Sequence, residues 1–220
     1  MPVYQRYDGA GAYVSISDAD RHPDLHYAAT IHHGIDIDQF AVHPSPGGEH
    51  LLFFGRIHPD KGTAHAIEVA RRCGRRLDIA GIIQDEEYFR DAVAPHLDGD
   101  QVRYLGGAVG ADSRTEVLGG AHALLHLIDF DEPFGYSVVE SMACGTPVIA
   151  HARGGSMGEL IEHGVTGYLA ADMDAAVAAV DAAGGLDRAK IAECAAARFS
   201  VSAMVDKYVD VYRDVLGARA

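Results

Sequence analysis

Cysteine is scarce in this chain, and the few present do not belong together. Cys73, Cys144 and Cys194 show neither a paired nor a metal-ligand spacing, and each sits in an Ala-rich stretch of helical character. An odd, scattered set is the usage of reduced thiols, which points to a cytoplasmic setting and away from a disulfide framework. No stretch approaches the ~20 apolar residues of a membrane-spanning helix, and the N-terminus lacks the charged and apolar regions of a signal peptide. Cations are scarce as well: 18 Lys and Arg face 32 Asp and Glu, a formal charge of −14. Such a chain is a poor general binder of nucleic acid, whose affinity rests on Lys and Arg, so no nucleic-acid partner is expected. Arg71, Arg72, Arg75 and Arg76 flank one helix end and are expected to be solvated. An anionic ligand must then be held by a few placed cations and by backbone N–H groups. Internal repeats and long low-complexity tracts are missing. No G-x-G-x-x-G follows the first apolar run of the main domain, which disfavours a generic dinucleotide binder.

What the chain does have is alternation. Glycine is abundant, at 25 of 220 residues, and many of these follow short apolar runs. Leu51–Phe54, Leu77–Ala80, Val102–Leu105, Ala123–Ile128, Pro147–Ala150 and Gly167–Leu169 read as short strands. Between them, 63–73, 86–97, 112–121, 136–144 and 157–162 carry helical spacing, and the Ala-rich remainder from Asp172 reads as helix. Strands apolar on both faces and separated by helices predict a parallel sheet covered on both sides, a doubly wound α/β domain of Rossmann type. Ligands in such sheets sit beyond the C-terminal strand ends. Residues 1–40 do not fit this domain: 13–17 and 27–32 look like strands of something else, and 41–48, ending His43-Pro44-Ser45-Pro46-Gly47-Gly48, reads as a linker into a main domain over 49–220.

Two loops carry candidate chemistry. Gly55-Arg56-Ile57-His58-Pro59-Asp60-Lys61-Gly62 places two cations at a strand-to-helix turn, a workable pyrophosphate clamp in which the helix end adds N–H groups and positive potential. Arg56 suits bidentate contact with phosphate, and Lys61 acts as a point charge. A solvated turn with ordinary surface cations would read the same way. The second loop, from Asp129 through Glu132-Pro133-Phe134-Gly135-Tyr136-Ser137 to Glu140, leaves a buried strand and enters a helix. Gly135 permits close backbone approach, the N–H groups of Gly135, Tyr136 and Ser137 suit an anion, and Glu132 and Glu140 suit sugar and ribose hydroxyls. The bland alternative makes Glu132 a helix N-terminal acid and Glu140 a solvent-facing helix residue. His122 and His126, four apart, would suit a metal on a helix but lie on an expected strand, where that spacing forms no chelate.

The ordered set of motifs resembles glycosyltransferase family 4, retaining enzymes of the GT-B fold, over about residues 30–218. It comprises His33-Gly34-Ile35-Asp36 with Phe40, Phe54-Gly55-Arg56 with Lys61-Gly62, Ala80-Gly81, Leu105-Gly106, the Glu-x7-Glu element from Glu132 to Glu140, Gly145-Thr146-Pro147-Val148-Ile149-Ala150, Gly155 to Glu159, and Gly164-Val165-Thr166-Gly167. The resemblance implies the C-terminal, donor-binding half of such an enzyme. It implies that Arg56 and Lys61 bind the donor diphosphate and stabilise its leaving charge without a metal cofactor, that Glu132 contacts the donor sugar, and that Glu140 contacts the ribose. Gly55, Phe134, Gly135, Tyr136 and Ser137 would line the sugar and phosphate, and Val109 the nucleobase. The donor would be a UDP-sugar or GDP-mannose and the acceptor an unknown molecule. Ser141 stands where the family usually has Ala, and the Arg153–Glu159 loop departs from the family's pattern. The expected remnant over 1–40 is short of a full acceptor-side domain, so a partner domain or chain is implied, and slow transfer by the isolated chain is expected. The alternative is a noncatalytic nucleotide-sugar-binding module that pairs with a separate chain. A terminal helix from about Ser200, with Met204, Tyr208 and Tyr212 at helical spacing, is expected to expose an apolar stripe, which makes a homo-oligomer plausible.

Overall fold

The computed structural model describes residues 2–42, 48–108 and 110–217. Its first segment is a helix α1 (Pro2–Tyr7) and two short strands, β1 (Tyr13–Ser15) and β2 (Tyr27–Thr30), paired in parallel apart from the main sheet. The expected linker at 41–48 falls largely outside the described residues, and so does Val109.

The apolar runs of the main domain become strands, the central ones covered on both faces, while Leu105 at the sheet edge stays exposed. They are β3 (Leu51–Phe54), β4 (Leu77–Ala80), β5 (Val102–Gly106), β6 (Ala123–His126), β7 (Val148–His151) and β8 (Gly167–Ala170). All pair in parallel, in the order β5-β4-β3-β6-β7-β8. Counted from β3, this is the doubly wound order 3-2-1-4-5-6. Alternate strand residues feed opposite cores. Leu51, Phe53, Ile79, Leu125 and Ile149 pack with helices α2 (Thr63–Cys73) and, later in the chain, α7 (Met173–Ala183). Leu52, Ala80, Leu124, Val148 and Ala150 pack on the other side with α4 (Ala111–Gly120), α5 (Tyr136–Ala143) and α8 (Arg188–Phe199). The helix after β3 therefore goes to one face and the helix after β6 to the other. Between those neighbouring strands lies the topological switch point, and both candidate loops start there.

Two elements and one set of arginines differ from the sequence expectation. The segment read as one helix from 86 to 97 is a single α turn α3 (Glu86–Tyr88), then a wide π turn over Phe89–Val93 and a tight 3-10 turn over Ala94–His96. Pro95 lacks the N–H that would continue the helix, which accounts for the tightening. β6 stops at His126, although Leu127 and Ile128 are fully buried. Their carbonyls leave the ladder to accept from imidazoles: His65 Nδ1 donates to Leu127 O at 3.2 Å and His151 Nδ1 to Ile128 O at 3.0 Å. The arginines expected to be solvated partly tie helices together, with Arg72 on Asp174 at 2.5 Å and Arg75 on Asp181 at 3.0 Å.

After β7 the chain makes a one-turn helix α6 (Met157–Leu160), whose Glu159 holds the first segment in place. Its carboxylate accepts from the backbone N–H groups of Asp18 at 2.9 Å and Ala19 at 3.0 Å, and from His32 Nε2 at 3.0 Å. Further along, Ile35 N donates to Phe199 O at 2.8 Å and Val201 N to Ile35 O at 3.1 Å. The last helix, α9 (Val201–Gly217), buries none of its residues, and Val201, Val205, Tyr212 and Leu216 are exposed.

Candidate functional site

The first candidate loop leaves β3 at Gly55, whose N–H donates to Ala80 O at 3.0 Å. It closes as a 3-10 turn over Pro59–Lys61, with the His58 side chain accepting from Asp60 N. Gly62 then joins the turn to α2 with φ +74, and a Cβ there would lie 1.9 Å from the Leu127 carbonyl oxygen. Only glycine tolerates both the left-handed backbone and the contact. This approach brings the loop after β3 against the loop after β6, and Asp129 N donates to Asp60 O across it at 2.9 Å.

That seam unites Lys61 and Glu132. Lys61 Nζ is 2.5 Å from Glu132 Oε2, both side chains are mostly buried, and the ammonium lies 4.5 Å from the centroid of the Phe130 ring. Glu132 is itself fixed by backbone: its carbonyl accepts from Ser156 N at 3.0 Å, and Gly155 passes so close that a Cβ would sit 2.6 Å from Glu132 N. Below the pair, at the end of β6, His126 Nε2 lies 3.9 Å from Glu132 Oε2. Burial, and then the neighbouring Lys61 charge, push the His126 pKa down to about 3, so this imidazole is neutral. Arg56 is exposed and turns instead to Gln84 Oε1, in the loop after β4. The two cations of the first loop thus take different partners.

The second loop enters α5 at Gly135, with φ +102; a Cβ there would meet Met157 Cε at 2.9 Å. The helix itself gives no acceptor to the first-turn N–H groups of Tyr136 and Ser137. Phe134 is buried, and Ser156 Oγ donates to its carbonyl at 2.6 Å. Phe134 also meets the rings of His33 (5.2 Å) and Tyr136 (5.2 Å) edge-on. His33 stacks on Tyr136 at 5.4 Å and 14°, so a residue from the first segment roofs the start of α5. Tyr136 is half-exposed; burial and the Glu140 charge raise its pKa.

Glu140 is not a solvent-facing helix residue: it is only 5% exposed. Its carboxylate pairs with Arg114 of α4, a residue the sequence did not single out, and the Arg114 guanidinium stands 5.7 Å from the Phe54 ring. Burial raises the Glu140 pKa and Arg114 opposes that rise. The Nε of Arg114 is buried with no hydrogen-bond partner among the described residues. The structure therefore gathers Gly55, Lys61, Glu132, Phe134, Gly135, Tyr136, Ser137 and Glu140 along the switch point. Arg56 stands at its rim. Among the described residues, no three His, Cys, Asp or Glu side chains gather as a metal site, and His122 Nε2 donates to Val180 O at 2.8 Å rather than meeting His126.

The model of the family described as glycosyl transferases group 1 matches residues 36–184. A glycogen synthase of Mycobacterium tuberculosis is 32% identical over 168 residues, 70% of this chain and 38% of that protein. A D-inositol 3-phosphate glycosyltransferase of Mycobacterium marinum is 30% identical over 214 residues, 85% of this chain and 45% of that protein. The chain thus spans less than half the length of these two relatives. Among solved structures, Anabaena Alr3699/HepE in complex with UDP-glucose superposes with a TM-score of 0.76 at 20% identity, covering 92% of this chain and 64% of that one. That likeness shows the shared fold.

Proposed function

Because this chain belongs to the glycosyl transferases group 1, we propose that it is the donor-binding half of a retaining, metal-independent sugar transferase of family 4. The observation that carries the reading is the pairing of Lys61 with Glu132 at 2.5 Å across the switch point of a doubly wound sheet. Ligands of such sheets seat in that crevice, and the crevice here holds a cation and a carboxylate from two different loops. In this reading Lys61 and Arg56 take the donor diphosphate, with the N–H groups of Tyr136 and Ser137 behind it. As the sugar–phosphate bond breaks, negative charge builds on the leaving diphosphate, and fixed cations in a partly dry crevice stabilise that charge more than they stabilise the intact donor. Glu132 then accepts from the donor sugar and Glu140 from the ribose diol.

The donor is a UDP-sugar or GDP-mannose; the complex of the Anabaena protein with UDP-glucose makes that compound the first probe. The acceptor is met by an acceptor-side domain packed against residues 2–40, supplied on the same polypeptide or another. The test is calorimetry of UDP, GDP, UDP-glucose and GDP-mannose against the 220-residue chain, with Lys61→Ala and Glu140→Ala as controls. Binding of one base's nucleotides, weakened at least tenfold by each substitution, is expected. No binding of any of them, or binding indifferent to both substitutions, refutes the site. For the reaction of the whole protein, an α-linked product from an α-linked donor, formed equally in EDTA, is expected.

A further inference from the structure

We propose that His126 is a positioning residue for Glu132: when Lys61 turns to the donor diphosphate, the His126 Nε2–H takes hold of the Glu132 carboxylate and keeps it aimed at the donor sugar. The inference rests on the donor-site reading above and concerns a residue to which that reading gives no task. Its basis is an unsatisfied atom. His126 Nε2 is buried with no hydrogen-bond partner among the described residues. Buried polar groups are nearly always paired, and leaving one unpaired is costly. By contrast, His122, immediately before β6, has its Nε2 on the Val180 carbonyl at 2.8 Å.

The geometry says what the missing partner is. Glu132 Oε2 is 3.9 Å from His126 Nε2, and the same oxygen is 2.5 Å from Lys61 Nζ. Lys61 holds the carboxylate about 1 Å beyond the usual reach of an N–H donor. If Lys61 neutralises a diphosphate instead, Glu132 loses its cation, and closing that gap restores a donor to it. A neutral imidazole has one N–H to give. The depressed pKa of His126, about 3, keeps it neutral, so it steadies Glu132 without adding a charge that would compete for the diphosphate. The groups that face it are Lys61, Glu132 and His151. His151 gives its Nδ1–H to Ile128 O at 3.0 Å, and no hydrogen bond joins its ring to His126 Nε2 among the described residues; the Glu132 carboxylate stands 3.9 Å from that nitrogen.

The sugar end of the donor should feel this contact and the nucleotide end should not. The experiment measures UDP and UDP-glucose affinities of the full chain, or GDP and GDP-mannose if that pair binds instead, for wild type, His126→Phe and His126→Gln. Phe keeps the bulk without the donor; the Gln amide puts an N–H near the position of Nε2. Expected is a preference for UDP-glucose over UDP that falls about tenfold in H126F and largely returns in H126Q, with UDP affinity within about threefold throughout. As a readout that needs no variant, imidazole proton NMR of the wild-type chain should gain one exchange-protected N–H signal with UDP-glucose and not with UDP. An unchanged preference in H126F, a wild type that prefers UDP, an H126F chain that loses UDP binding as well, or no new signal overturns the role. Failure of the wild type to bind any nucleotide instead overturns the donor site on which it depends.

Discussion

Replacing Arg114 with Met should strand a buried anion, and the size and pH dependence of the damage follow from the geometry. Glu140 is 6% exposed at its side chain and Arg114 34%. Removing one partner of a fully buried pair costs about 3–5 kcal/mol, because the remaining charge is left without compensation. A third of Arg114 is already solvated, so water replaces part of its effect, and about 2–3 kcal/mol is expected at neutral pH. For a domain of this size that lowers Tm by about 5–10 °C. Glu140 binds its proton more tightly in the folded chain than at its ordinary pKa of 4.5, because burial outweighs Arg114. A carboxyl with a raised folded pKa gives its stability below the unfolded value and loses it as pH rises through the folded one. Deleting Arg114 removes the opposing causes, so the folded pKa climbs further and the loss extends to higher pH. The deficit of Arg114→Met should therefore be small at about pH 5 and full at about pH 8, and Glu140→Gln placed in the same chain should recover most of it. Urea melts of the wild type and the single and double variants at both pH values are the assay. A deficit equal at the two pH values, or no deficit at all, refutes the reasoning.

Three further outcomes are expected. Gly62→Ala adds a Cβ at 1.9 Å from the Leu127 carbonyl on a φ of +74; a loss above about 2 kcal/mol in thermal melts, together with weakened nucleotide binding, checks it, since the same turn carries Lys61. Glu159→Gln keeps shape but gives up charge-assisted contacts to Asp18, Ala19 and His32; hydrogen exchange should accelerate about tenfold or more at the amides of 18 and 19 while the β3–β8 strands keep their protection. Burial pushes the Cys144 thiol up to about 12, so in native protein at pH 8 iodoacetamide should label half-buried Cys73 and Cys194 first and Cys144 last, as read by peptide mass mapping.

The sheet was legible because its central strands are buried on both faces: Leu51–Phe54 and Leu77–Ala80 need no alternation to be recognised, and Gly55 and Gly81 mark their ends. The positions of Lys61 and Glu132 were legible for the same reason, since each follows such a strand. The partners of these residues were not. Arg114 lies 26 residues from Glu140, and nothing local in the sequence marks it out; the packing of α4 beside α5 makes the pair. His126 carried a visible spacing to His122, but the spacing concerned a metal and the structure gives the two rings unrelated surroundings. The broken helix over 86–96 was partly legible in Pro95, whereas the π turn before it was not, because Phe89 and Tyr104 meet across distant sequence at 5.4 Å.

The pair of backbone hydrogen bonds joining Ile35 to Phe199 and Val201 has a mechanical consequence. Residues near the start and near the end of the described chain share one seam, and Gly34 lies so close that a Cβ would stand 2.7 Å from Val201 Cα. A displacement of residues 34–35 would therefore be felt at the base of α9. A second restraint on the first segment, beside the His33 stack on Tyr136, is the Glu159 carboxylate, which sits on α6, one turn beyond the Ser156 that fixes Glu132. A displacement of the first segment would therefore be felt on α6, one turn from the Ser156 that holds the Glu132 backbone.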